Sequence, residues 1–343
     1  MRTVAIRVTL IFSSIIFSCV LSEGFLHLLV PHSSGDLFMF TSQSMRYKVL
    51  RPNNRAIVYG IPFQTNQLGF RDQTDGLPVS EPGEERIIVL GDSYTASAGV
   101  PFALIYTEIV ERDLANLAGK PRIKVMNLAT GGYNVLQFYY TLSESGLALS
   151  PDYVVVAILV AEDFDRMNLY ADSRRIALGG VPSAPAWIDT LYLTKAFGLY
   201  VRQIYNRLLS AVETNHTAPA SPGDLEERRI NEQALLDIQS ALARRQTPLL
   251  VILLPECYDF SKQKEKHRAV GDFLRGHNID FIDMLPLFIS DGHRPGYFGL
   301  NIIDRHPNAR YHELVGRELA KMLAGTLSTK SARFRGKFNP GGE

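Results

Sequence analysis

The chain has 343 residues, 46% apolar and 21% charged, a make-up that suits one large or two small globular domains. Its 36 basic and 35 acidic side chains leave a formal charge of +1, so the balance excludes a polyanion such as nucleic acid as the partner it is built for. Two cysteines, Cys19 and Cys257, imply no disulfide framework, and without a C-x-x-C or H-E-x-x-H pattern the sequence calls for no metal and no cofactor.

Taken in chain order, the first element is apolar. Arg2 and Arg7 precede a run from Val8 to Leu21 that carries no charge. Counted from Thr3, with Arg7 snorkelling, the segment reaches about 20 residues and predicts a transmembrane helix. No A-x-A-like site follows, which favours an uncleaved anchor over a removed signal peptide. Basic residues on the leading side predict a cytoplasmic N-terminus and an extracytoplasmic body, periplasmic or outside. Residues 31–85 are rich in Pro, Gly, Asn and Gln and read as a connecting region with short strands, "RAIVYGIPF" and "NQLGFRD" among them.

From Arg86 the pattern alternates. "RIIVLGD" is a strand, 104–119 a helix, 123–129 a strand and 134–149 a helix. The continuous apolar run 152–161 reads as a strand covered on both faces. An insertion at about 166–225 follows, with one helix and the loop "ETNHTAPASPGD". Then come "LEERRINEQALLDIQSALARR" as a helix, 248–254 as a strand, "SKQKEKHRAVGDFLRGH" as a helix, "IDFIDM" as a strand and "PNARYHELVGRELAKMLAG" as a closing helix. Alternating strands and helices predict an α/β fold, a parallel sheet with helices on both faces. About five strands fit a doubly wound sheet of flavodoxin-like size. The tail "STKSARFRGKFNPGGE" reads as a basic, flexible end.

Gly91, Asp92 and Ser93 stand where the first core strand ends. All three are common turn formers, but the carboxyl end of a parallel strand is also where open α/β sheets place ligands. A serine nucleophile needs a base and the base needs an orienter. Asp304 and His306, two residues apart in a loop before the closing helix, can supply both. A D-x-H pair alone is common; paired with G-D-S at the first core strand it becomes specific.

Together "VLGDSYTASAGV", "NLATGGYNVLQ" and "DRHPNARYH", with "QTNQLGFRD" ahead of the core, resemble in order the motifs of the SGNH, or GDSL, hydrolase family in its membrane-anchored bacterial form. The likeness spans residues of about 60 to 325. It implies a three-layer flavodoxin-like fold and ester hydrolysis or acyl transfer. Carried over by position, Ser93 is the nucleophile, His306 the base and Asp304 its orienter. The N–H groups of Ser93 and Gly132 would bind the oxyanion, with Gly131 the alternative glycine, and Asp92 would support the nucleophile turn. The implied domains are an anchor at 1–30, the connecting region 31–85, a hydrolase-like domain at 86–327 and the tail 328–343.

One motif departs. The resemblance asks for an Asn whose amide is a third oxyanion donor, and its position falls on Ala161, followed by Glu162 and Asp163. Either another group substitutes, Asn134 being the candidate, or the enzyme is slow, or the chain is a glycan-binding module that kept the fold. Asn134 reads first as the N-cap of its helix, and Glu162-Asp163 as a strand-end cap that could hold Arg166 or Arg71. His312 reads as structural; His267, His277 and His293 read as solvent-facing. Phe138-Tyr139-Tyr140 reads as core, Trp187 as packing or groove lining, and the Asn215–Thr217 sequon has no role. The expected activity is that of a serine esterase or deacylase acting on an acylated small molecule or glycan, possible targets including O-acetyl groups of cell-envelope glycans. An O-acyltransferase for a surface polysaccharide is the other enzymatic expectation.

Overall fold

The computed structural model describes residues 2–29, 37–72, 83–117, 122–160, 162–164, 170, 173–174, 177–178, 222–300 and 304–335. Ala161, Arg166, Trp187, the Asn215–Thr217 sequon and most of the insertion lie outside them.

Two hairpins follow the first helix. Strands β1 (Phe38–Phe40) and β2 (Lys48–Leu50) pair antiparallel, as do β3 (Arg55–Val58) and β4 (Ile61–Gln64). The second turns on Tyr59 and Gly60, at φ 50° and 75°, the left-handed pair that a two-residue hairpin loop requires.

The core sheet has five strands: β5 (Glu85–Leu90), β6 (Ile123–Asn127), β7 (Tyr153–Leu159), β8 (Leu249–Leu254) and β9 (Phe281–Asp283). All neighbours are parallel, in the order β6-β5-β7-β8-β9. The helices are α2 (Ser93–Ala96), α3 (Tyr106–Leu117), α4 (Val135–Glu144), α5 (Pro222–Ala243), α6 (Phe260–Gly276), α7 (Leu285–Asp291) and α8 (Ala309–Arg335). The α/β expectation holds. α7 was not anticipated, and α8 continues ten residues past the sequence boundary at 325.

Alternation along the strands sorts the core into two layers. Ile87, Val89, Val155, Ala157 and Ile252 pack with Tyr106 and Val110 of α3 and with Tyr311, Val315 and Leu319 of α8. Ile88, Leu90, Val154, Val156 and Val251 pack with Phe138 of α4, Leu235 of α5 and Leu274 of α6. Every residue of β7 is buried, which explains its unbroken apolar run. The chain leaves β5 for β6 on one side and reaches β7 on the other, so the strand order reverses at β5. In open α/β sheets such a switch point is where ligands bind, and here it falls at the carboxyl end of β5, just before Ser93.

At the N-terminus, α1 (Arg2–Leu29) forms a 28-residue helix. Among the described residues no helix is long and apolar enough to cross a membrane, so the expected transmembrane helix is not shown. Large apolar groups on this helix, including Leu10, Phe12, Ile16, Phe17 and Val20, are more than half exposed.

Candidate active site

The nucleophile turn is forced by its sequence. A Cβ on Gly91 would lie 2.3 Å from Thr95 Oγ1 and 2.6 Å from Thr95 Cβ, so only glycine lets α2 fold back against the strand end. Asp92 caps α2: its Oδ1 accepts the Tyr94 N–H at 2.9 Å. Burial raises the Asp92 carboxyl to about 6, and the charge of Glu162 adds to that rise.

Segment 66–72 braces this turn. Asn66 Oδ1 accepts the N–H groups of Leu68 and Phe70, both at 3.0 Å, which shapes the tight bend before Arg71. The buried Arg71 guanidinium donates to the carbonyls of Ala96 (3.0 Å), Ser97 (2.5 Å) and Val100 (2.6 Å). Asp72 Oδ2 accepts the Asn127 N–H at 3.0 Å, and Asn127 Nδ2 donates to Thr95 O at 2.9 Å. The motif "NQLGFRD" is thus a clamp on both sides of α2.

The third motif is built as tightly. Asn308 Oδ1 accepts the N–H groups of Arg310 (3.0 Å) and Tyr311 (3.3 Å), and its Nδ2 reaches back to the carbonyls of Tyr297 and Gly299. Tyr94 Oη donates to Arg305 O at 3.1 Å, which ties the loop to α2. His306 is thereby carried to Ser93, 213 positions earlier: His306 Nε2 lies 3.0 Å from Ser93 Oγ. On the other side His306 Nδ1 lies 2.6 Å from Asp304 Oδ1, which also accepts the His306 N–H at 2.9 Å.

The electrostatics assign the protons. Burial alone would raise the Asp304 carboxyl, but hydrogen bonds from His306 and Tyr59 and the charge of His306 outweigh it and hold it at about 2. An ionised Asp304 fixes the His306 proton on Nδ1 and leaves the Nε2 lone pair facing the Ser93 hydroxyl. Burial opposes the imidazolium, yet Asp304 overrides it, so the His306 pKa lies above 6.5.

Ser93, His306 and Asp304 are therefore brought together. Gly131 lies alongside: a Cβ there would be 3.6 Å from Ser93 Cβ. Gly132 adopts φ 76°, a left-handed conformation that favours glycine. Neither the Ser93 nor the Gly132 N–H is hydrogen-bonded among the described residues. Asn134 caps α4 in a full capping box with Gln137, as the helix-cap reading expects. Asp163 Oδ2 accepts the Leu159 N–H at 2.7 Å, the strand-end cap; Arg71 is engaged elsewhere. His312 is buried, stacks on Tyr106 and is pushed down to about 3 by its burial, so it is a neutral core residue. His277 and His293 are exposed.

His267 was expected at the surface and is not there. It is buried, with Nδ1 2.7 Å from Asp283 Oδ1. The spacing of Phe260, Gln263, His267, Val270 and Leu274 puts it on the inner face of α6.

Three residues at the site come from the stretch read as a connector. Tyr59 Oη donates to Asp304 Oδ2 from the β3–β4 turn. Lys48 Nζ donates to Gly131 O at 2.5 Å, and the Phe38 ring lies 3.6 Å from where a Gly131 Cβ would stand. The signal available in sequence was Tyr59-Gly60 as a hairpin turn; nothing local marked Lys48 or Phe38. A groove of about 680 Å³ opens on the Arg305 side of the triad, lined in part by Tyr258, Lys264, His293 and Gly299.

No protein-family model matches the chain, and no curated protein sequence matches it. Solved structures similar to it include a lipase/acylhydrolase from Enterococcus faecalis (16% identity over 71% of this chain and 96% of that one, TM-score 0.43). A catalytic mutant of an acetylxylan esterase from Geobacillus stearothermophilus gives 16% identity over 71% and 96%, TM-score 0.42. A lipolytic protein of the G-D-S-L family from Desulfitobacterium hafniense gives 13% over 69% and 99%, TM-score 0.40. The chain resembles the SGNH/GDSL hydrolases in the order of its motifs and in the serine, histidine and aspartate that those motifs bring into one hydrogen-bonded line.

Proposed function

We propose that the chain is a serine esterase or deacylase. The observation that carries this is the 3.0 Å approach of His306 Nε2 to Ser93 Oγ with an ionised Asp304 behind the ring. His306 takes the Ser93 proton as Oγ attacks the acyl carbonyl. The tetrahedral oxyanion is held by backbone N–H groups, those of Ser93 and Gly132 in this reading. His306 then protonates the departing alcohol, and water, deprotonated by the same imidazole, releases the acid.

The reading takes the acyl group to be short. The Phe38 ring and Ser93 Cβ each lie 3.6 Å from where a Gly131 Cβ would stand, so an aromatic side chain stands near the nucleophile, which supports a small acyl group in this reading. O-acetyl groups on cell-envelope glycans are the substrates this reading favours. An envelope location is part of this reading, and the exposed apolar side chains of α1, which a lipid phase would cover, support it. Arg2 and Arg7 ahead of the apolar run favour, in the same reading, a body outside the cytoplasm.

The test has two parts. A fluorophosphonate probe should label wild-type protein and not Ser93→Ala. Acetyl esters should be hydrolysed at least tenfold faster, in kcat/KM, than octanoyl esters. A folded wild type that takes up no probe, or a Ser93→Ala variant labelled to the same extent, sinks the reading. Turnover that requires an added glycan acceptor would make the enzyme an O-acyltransferase using the same residues.

A further inference from the structure

The first hairpin is fastened to the site by more than one bond. Ser44 Oγ and the Met45 N–H donate to the Glu144 carboxylate at 2.7 and 2.8 Å, and Gln137 Nε2 donates to Arg46 O at 2.9 Å. Tyr133 Oη donates to the carbonyl of Lys48 at 2.5 Å. The Lys48 ammonium is thereby carried inward, 4.7 Å from the centre of the Phe38 ring. Burying an ammonium is costly unless it is satisfied. Burial pulls its pKa down to about 8, which still leaves it charged at neutral pH.

Its acceptor is the carbonyl of Gly131, at 2.5 Å. A peptide unit is planar and trans, so fixing that oxygen fixes the N–H of Gly132 on the opposite side of the same unit. A cation on the oxygen also polarises the amide and strengthens its N–H as a donor. That N–H is otherwise unbonded among the described residues, and a Cβ on the preceding Gly131 would lie 3.6 Å from Ser93 Cβ.

We propose that Lys48 is a positioning residue for the esterase reaction. By holding and polarising the Gly131–Gly132 peptide, it aims the Gly132 N–H at the developing oxyanion and takes up part of the work of the missing side-chain amide. The role rests on the esterase reading above.

The test compares wild type, Lys48→Met, Lys48→Gln and Lys48→Arg on an acetyl ester, with kcat expressed per active site titrated by fluorophosphonate. Lys48→Met keeps the apolar stem and should lose about tenfold or more in kcat, within the roughly hundred- to thousandfold ceiling for a whole oxyanion donor. KM should stay within about twofold, since the interaction is made in the transition state. Lys48→Arg should restore most of the loss. If Lys48→Met gives no cooperative melt, Lys48→Gln takes its place with the same expectation. An unchanged kcat per titrated site, or a loss confined to KM, overturns the proposal while the esterase reading stands. A wild type that cleaves no ester removes both.

Discussion

At the scale of single residues, the site is a chain of donors and acceptors whose charges are set by burial. Asp304 is held ionised near 2, and His306 is held above its ordinary value mainly by that carboxylate. The free base is the form that accepts the Ser93 proton. kcat/KM should therefore be full at higher pH and fall as pH drops through a midpoint above 6.5. Asp304→Asn removes the charge that raises His306, leaves at most a weaker neutral hydrogen bond, and keeps the burial that lowers it. The midpoint should move down, and kcat should fall by as much as about 10⁴-fold. A pH–rate profile of both proteins checks this; an identical midpoint in the variant would assign the limb to another group, Asp92 at about 6 being the nearest. The triad was legible in sequence because G-D-S and D-x-H sit at element ends that a parallel sheet must bring to one rim. Tyr59 and Lys48 were not, because their partners are more than 80 positions away and neither lies in a recognisable pattern.

At the scale of elements, α2 has only four residues and cannot stand by itself. Its stability comes from Gly91, the Asp92 cap and the Arg71 clamp. Arg71→Met would leave the carbonyls of Ala96, Ser97 and Val100 without that donor in a buried setting. At roughly 1–3 kcal/mol for each unsatisfied group, partly relieved by relaxation, the expected loss is about 3 kcal/mol. Urea unfolding should show a lowered midpoint at unchanged slope, and the folded fraction should label more slowly with fluorophosphonate. A midpoint shift of no measurable size would mean that the clamp is redundant. The core strands β5, β7 and β8 could be read from unbroken apolar runs, since they are buried on both faces, and most of the flanking helices from periodicity, since each buries one regular face. α7 could not: "LPLFISD" is two turns long, too short for a helical period to declare itself. The hairpins were read as connectors because their strands have three or four residues each and bury only a few side chains, Leu50, Ala56 and Phe63 among them.

At the scale of the whole molecule, the chain joins an exposed apolar helix to a buried α/β core. The account expects the full chain to float with phospholipid vesicles in a density gradient, and an Ile15→Lys/Ile16→Lys variant to stay at the bottom with its esterase activity intact. Wild-type protein that remains at the bottom without aggregating would remove the membrane from the account. The fold class was legible from the βα alternation and the order of motifs; the transmembrane expectation went further than the described part of α1 supports. The most direct test of the central claim is to trap the covalent intermediate. Protein mixed with an activated acetyl ester, quenched in acid within the first turnovers and digested, should carry one acetyl group on the peptide containing Ser93. The signal should be lost in Ser93→Ala and strongly reduced in His306→Ala. Ester turnover with no acetyl on Ser93, or with acetyl on another residue, would contradict the account.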